Sequence, residues 1–219
     1  MELWTAWLSL LSSSLQSLTS HFGVSEAVAI ILLTAAARLL LMPVSLKAAY
    51  QGEMSRRALE QLKPELQRLK ETFKDDQAAL AAQTMQLYKA HGLNPFGRWA
   101  LLNIGTQTVF GLAMFQELSK ASITGRFLWI ANLAKPDVWL TLVVTILMLL
   151  GMALMPGLNA EMSTLVIIAI PVAVAVIAIA TLPASVGVYW ATSNAFTVFQ
   201  ALVLRQMLSR RAPVAAHPH

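Results

Sequence analysis

Thr34-Ala-Ala-Ala-Arg-Leu-Leu-Leu-Met-Pro43 sets a single arginine inside a run of residues that otherwise belongs in lipid. The run around it, 26–46, is long enough to cross a hydrocarbon core about 30 Å thick, which takes about 20 apolar residues at 1.5 Å each. Arg38 lies 12 residues after Glu26 and nine before Lys47, so on a straight helix it is about 14 Å from the nearer end. A charge at that depth costs about 2.5–3.5 kcal/mol on insertion scales. It is too deep for a snorkelling end residue, so a partner or water must offset the cost.

Working outward, four further apolar runs have spanning length: 99–118, 138–155, 164–182 and 184–204. The fold class is therefore an all-α membrane protein with five transmembrane helices. Composition agrees: of 219 residues, 57% are hydrophobic and 12% charged, against about 25% charged in soluble domains. With no cysteine, disulfides, thiolate metal sites, a cysteine nucleophile and lipid attachment through cysteine are excluded. Met1-Glu-Leu-Trp-Thr5 lacks the basic start of a signal peptide, so residues 1–219 are read as the mature chain.

Residues 1–22 hold Leu3, Trp7, Leu11, Leu15 and Leu18 at helical spacing, with serines over much of the remaining surface. They read as a helix lying in the membrane interface, a short extra span being the weaker alternative. Residues 47–98 carry nine Lys/Arg and six Asp/Glu. There Leu62, Leu66, Leu69 and Phe73 form a coiled-coil-like stripe, Lys74-Asp-Asp-Gln77 marks a turn, and Leu80, Thr84, Leu87 and Tyr88 supply a facing stripe. His91-Gly-Leu-Asn-Pro95 ends the returning helix. This is a helical hairpin outside the membrane, with Gly52 and Gly92 as candidate hinges; Pro64 kinks or breaks its first arm.

Alternating spans put the hairpin, the loop 156–163 and the tail 205–219 on one side, with 12 Lys/Arg. The N-terminal segment and the loop 119–137 lie on the other, with three. Positive charge marks the cytoplasmic side, so the N-terminus is outside and the hairpin and C-terminus are cytoplasmic.

The acids lie at or beyond span ends, so no carboxylate sits at Arg38's depth. The other solution is a water-filled groove lined by polar side chains. Thr34 shares a face with Arg38; Asn103 and Gln107 form an i, i+4 pair in the second span; Tyr189 and Ser193 form another in the fifth. The fourth span is apolar and the third carries only Thr141 and Thr145, so these two read as walls towards lipid. Each polar residue has a plainer alternative: a bond to backbone or a neighbouring helix for Thr34, Asn103 and Ser193, and an interfacial belt for Tyr189 and Trp190. Met148, Met152 and Met155 share one face, suited to core packing or to an adaptable contact surface. Pro43 and Pro171 read as kinks.

His21, His91, His217 and His219 are scattered, without metal-ligand spacing, and there is no Gly-rich phosphate loop or Ser-x-x-Lys motif. No intramembrane acid or histidine is available as a base or proton carrier. The chain is read as non-enzymatic, with no cofactor and no specific nucleic-acid partner.

Four passages together resemble the YidC/Oxa/Alb membrane protein insertases. They are Ala37-Arg-Leu-Leu-Leu-Met-Pro43; Leu62-Lys-Pro-Glu-Leu66 with Lys74-Asp-Asp-Gln77 and Met85-Gln-Leu-Tyr-Lys89; Gly92-Leu-Asn-Pro-Phe-Gly97; and Leu182-Pro-Ala-Ser-Val-Gly-Val-Tyr-Trp-Ala-Thr-Ser-Asn194 with Gln200. Phe127-Leu-Trp-Ile-Ala-Asn-Leu133 looks like the family's outer loop. The resemblance implies a bacterial inner-membrane protein with a hydrophilic groove open to cytoplasm and lipid and closed outside. It implies Arg38 as the groove arginine, a substrate surface including Thr34 and Tyr189, and a hairpin that recruits substrate. Nascent membrane proteins and the bilayer are the implied partners, the Sec translocon and the ribosome are candidates, and a monomer suffices. Arg98-Trp99 and Gly105-Thr-Gln-Thr108 depart from the family's usual Gly-Gly-Cys and Gln-Met-Pro. Without a lipoprotein cysteine or a large periplasmic domain, the chain reads as a compact member. The rival functions are an anion channel or solute transporter selecting through Arg38, and a chaperone holding partner spans against the third-span methionines.

Overall fold

The computed structural model describes residues 2–93, 97–120, 123–156 and 162–211. Among them the chain forms eight helices: α1 Glu2–Phe22, α2 Glu26–Gln61, α3 Lys63–Thr72, α4 Gln77–Ala90, α5 Arg98–Lys120, α6 Val138–Leu154, α7 Met162–Thr181 and α8 Ala184–Arg211. The one strand-like feature among the described residues is an isolated bridge between Phe127 and Ile130. The helix end assigned to Asn94-Pro95, most of the loop 156–163, and His217 and His219 lie outside the described residues, as does the side chain of Pro171.

Two compact units emerge, one made of residues up to Pro43 together with those from Gly105 onward, the other of Val44–Ile104. Among the described residues α2 is long and apolar enough to cross a bilayer, and Val138–Leu154 and Val172–Thr181 are shorter apolar helices.

In the first unit, α6 and α8 pack closely because glycines remove side chains at their contact. A Cβ on Gly187 would stand 2.6 Å from Leu140 Cδ2, and one on Gly151 3.3 Å from Thr197 Cγ2. Small residues let helix backbones approach in this way where there is little water to expel. The guanidinium of Arg205 donates from Nε to the Leu154 carbonyl at 2.5 Å and from Nη2 to the Ala153 carbonyl at 3.0 Å. These are terminal carbonyls of α6 that the helix itself cannot satisfy, and the positive charge complements its dipole. Ile170, Val174 and Ile177 of α7 are exposed.

The end of this unit that holds Glu26, Leu118 and Ala184 is sealed by the segment 123–137. Gly125 donates its N–H to Glu26 Oε2 (3.1 Å), and Leu133 donates to the Gly125 carbonyl (3.0 Å). Ala184 and Ser185 donate to the Lys135 and Leu133 carbonyls, both at 3.0 Å, and Ser185 Oγ donates to the Leu118 carbonyl. Ile123, Ile130 and Leu133 are buried beneath these bonds. Asp137 caps α6 by accepting the Leu140 N–H at 2.7 Å.

α1 packs on the same unit through Trp4, Trp7, Leu8, Leu11 and Leu15, and Trp4 Nε1 donates to Gln116 Oε1 at 3.1 Å. Trp7, Leu11 and Leu15 of the expected stripe pack there, whereas Leu3 is 89% exposed and Trp4 takes its place.

The helix α2 runs through Pro43 and continues past residue 46 and Gly52 without a break. The expected end of the first span at residue 46 is a change of composition within one continuous helix, and Gly52 is a helical residue. Pro64 breaks the arm: α2 ends at Gln61, and α3 restarts with proline in its first turn, where the missing N–H costs nothing. Asp76 caps α4 by accepting the Ala79 N–H at 2.8 Å, and Gly92, at φ +64°, ends it. The Leu93 N–H reaches the Tyr88 carbonyl (2.8 Å), as a left-handed glycine cap permits.

Candidate functional site

Arg38 on α2, Gln107 on α5 and Ser193 on α8 meet within the first unit. Arg38 donates from Nε to Ser193 Oγ at 2.9 Å, from Nη2 to the same oxygen, and from Nη1 to Gln107 Oε1 at 2.5 Å. The guanidinium is half-buried, and among the described residues no carboxylate pairs with it. Hydrogen bonds to a charged group contribute about 1.5–3 kcal/mol each, so these three can offset the cost of placing the charge at depth. Neutral partners supply that offset without cancelling the charge.

Tyr189, one turn before Ser193, is buried and near both Ser193 and Arg38. Its ring meets Phe110 edge-on, with centroids 6.2 Å apart and planes at 60°. It is thus held against neighbouring helices of the unit. Gly111 makes room for it, since a Cβ there would lie 3.3 Å from the phenol oxygen.

The other expected lining residues are placed differently. Thr34 is fully buried and donates its hydroxyl to the Ile30 carbonyl at 2.7 Å. Asn103 is half-buried and belongs to the second unit. Met148, Met152 and Met155 are all half-buried.

In the second unit, Leu62 is buried at the α2–α3 junction, and Leu66, Leu69 and Phe73 are half-buried. Leu69 shares an open cleft of about 380 Å³ with Glu65, Arg68, Gln83 and Leu87, between α3 and α4. Two clusters here were not anticipated. Glu53, with its side chain only 3% exposed, accepts from Arg56 Nε and Nη2 (both 2.9 Å) and from Arg57 Nε (2.7 Å), while Arg56 also pairs with Glu60. The hydrogen-bonded Arg56 holds the Glu53 carboxyl below the usual carboxylate range, and Glu53 in turn raises the Arg56 guanidinium. The i, i+3, i+4 spacing of these charges is visible in the sequence. The second cluster places Lys47 Nζ 4.1 Å from the Trp99 ring centroid and Arg98 Cζ 5.4 Å from it.

A helical membrane protein whose arginine is gathered by three helices, and left charged, is the class this geometry defines. The chain matches the family model described as 60Kd inner membrane protein over residues 17–211. It is 30% identical over 200 residues to a membrane protein insertase YidC of Oceanobacillus iheyensis, covering 84% of this chain and 76% of the relative. A Staphylococcus carnosus YidC is 27% identical over 216 residues (92% and 74% covered). One from Clostridium tetani is 28% identical over 203 residues (88% and 87%). The chain belongs to this family, the YidC/Oxa/Alb membrane protein insertases.

Proposed function

We propose that the chain is a membrane protein insertase in which Arg38, held by Gln107 and Ser193, receives the polar and often acidic segment of a nascent membrane protein while the adjoining apolar segment passes into lipid. The observation that carries this reading is the uncancelled charge: the guanidinium rests on neutral oxygens with no carboxylate among the described residues. An incoming carboxylate gains about 1–4 kcal/mol from a cation at contact, between bulk-water and protein-surface dielectrics. Burial of the client's apolar helix supplies the remaining drive. Nothing in this scheme requires a nucleotide or a cofactor, and one copy of the chain supplies all three groups.

In this reading the spans are 26–46, 99–118, 138–155, 164–182 and 184–204, in the bacterial inner membrane. The N-terminus and α1 are outside, and the hairpin and C-terminus are cytoplasmic. Thr34 and Asn103 lie on helices that line the groove, Tyr189 shapes its wall, and the hairpin with Leu62, Leu66, Leu69 and Phe73 recruits the client. The Sec translocon and the ribosome are candidate partners. The bonds of Gly125, Leu133 and Ser185 over buried Ile130 support closure at the end this reading puts outside, which disfavours a channel. Purified chain in sealed liposomes tests this: the insertase reading predicts protease-protected insertion of a single-span client without anion conductance. Conductance without insertion refutes it.

A further inference from the structure

Lys47 and Arg98 converge on one indole ring in the second unit, and among the described residues neither forms an ion pair. The acid nearest to Lys47 in sequence, Glu53, is already engaged by Arg56 and Arg57. Two exposed cations thus stand together with their charge uncompensated, fixed by the Trp99 face and not by a carboxylate. Immediately along α5, Leu101, Leu102 and Ile104 are 55%, 51% and 62% exposed. A double cation followed by an apolar strip, with tryptophan at the border, has the order of a phospholipid: phosphate, glycerol boundary, acyl chain.

We infer that Lys47, Arg98 and Trp99 form a binding site for the phosphate of an anionic phospholipid, with the acyl chain along Leu101, Leu102 and Ile104. A zwitterionic lipid carries its own ammonium beside the phosphate and gains little from two further cations. Free phosphate or a nucleic-acid backbone would use the charges but leave the apolar strip without a partner. The assignment rests on the orientation proposed above, which puts these residues at the cytoplasmic membrane surface, where the anionic lipids are concentrated.

The test is native mass spectrometry of the full chain released from micelles doped with phosphatidylglycerol, phosphatidylcholine or inorganic phosphate. The variants are Lys47→Gln/Arg98→Gln and Lys47→Arg/Arg98→Lys. Wild type retains phosphatidylglycerol selectively, and the glutamine pair weakens that retention about 30-fold, at about 1 kcal/mol for each cation lost. The charge-conserving pair stays within about threefold of wild type. Equal retention in wild type and the glutamine pair, loss in both pairs, or phosphate bound as well as the lipid overturns the proposal. No client is present, so a failure of the insertase reading leaves this result standing, and the reverse.

Discussion

Gln107→Glu separates the charge of Arg38 from its packing. The side chain keeps its size, and its oxygen already lies 2.5 Å from Arg38 Nη1, so one oxygen of the carboxylate takes that place. It places a full negative charge about 4 Å from the guanidinium centre, worth about 4 kcal/mol at an effective dielectric of 20. That matches or exceeds what a client's acidic segment gains at the same cation, so the segment must compete with a resident partner. Proteoliposome insertion of two clients that differ only in the polar segment, one acidic and one neutral, reads the effect. Relative to wild type, the acidic client falls at least tenfold in initial rate and the neutral client falls less than twofold. Thermal unfolding in detergent is unchanged or shifts upward, which separates lost reception from lost folding. If Gln107→Glu inserts the acidic client as fast as wild type, the charge of Arg38 is not the receptor.

Three further outcomes follow from packing and electrostatics. Gly187→Ala drives a methyl to 2.6 Å from buried Leu140 Cδ2 and destabilises the α6–α8 pair by about 1–3 kcal/mol; detergent-phase unfolding measures the loss, and Leu140→Ala in the same chain relieves it. Because Arg56 holds Glu53 below its ordinary pKa, the pair's contribution is complete above the unfolded carboxyl's pKa and is lost as the pH falls through the lower folded value. Hydrogen exchange along the C-terminal half of α2 therefore accelerates on acidification, and Glu53→Gln, which costs about 1–3 kcal/mol there, abolishes that pH dependence. Arg205→Ala removes both bonds to the end of α6 and costs about 0.5–2 kcal/mol, with faster exchange confined to its last turn.

Much of the site was legible because membrane helices expose their polar residues against an apolar background. Arg38, Gln107 and Ser193 stand out at once, and i, i+4 spacing assigned each to a face. Periodicity within one helix does not say what its neighbours supply, however. Thr34 shares Arg38's side of α2 in projection, yet its hydroxyl goes to Ile30, as threonine in a helix can do without any tertiary partner. Asn103, one turn from Gln107, falls in the other unit. The contacts that sequence reading missed join distant positions: Trp4 to Gln116, Glu26 to Gly125, and Lys47 to Trp99. The continuation of α2 beyond residue 46 was hidden because hydropathy reports the solvent around a helix, whereas the break at Pro64 follows from proline's missing donor.

The most direct measurement of the central claim is insertion of a small single-span client with an acidic N-terminal segment, scored by protease protection, for wild type, Arg38→Ala and Arg38→Lys. Lysine keeps the charge but not the fork that reaches Gln107 and Ser193 together. The account predicts loss of insertion with alanine and retention of most of it with lysine. Equal insertion by all three would contradict it and leave the groove's water and shape as the receptor.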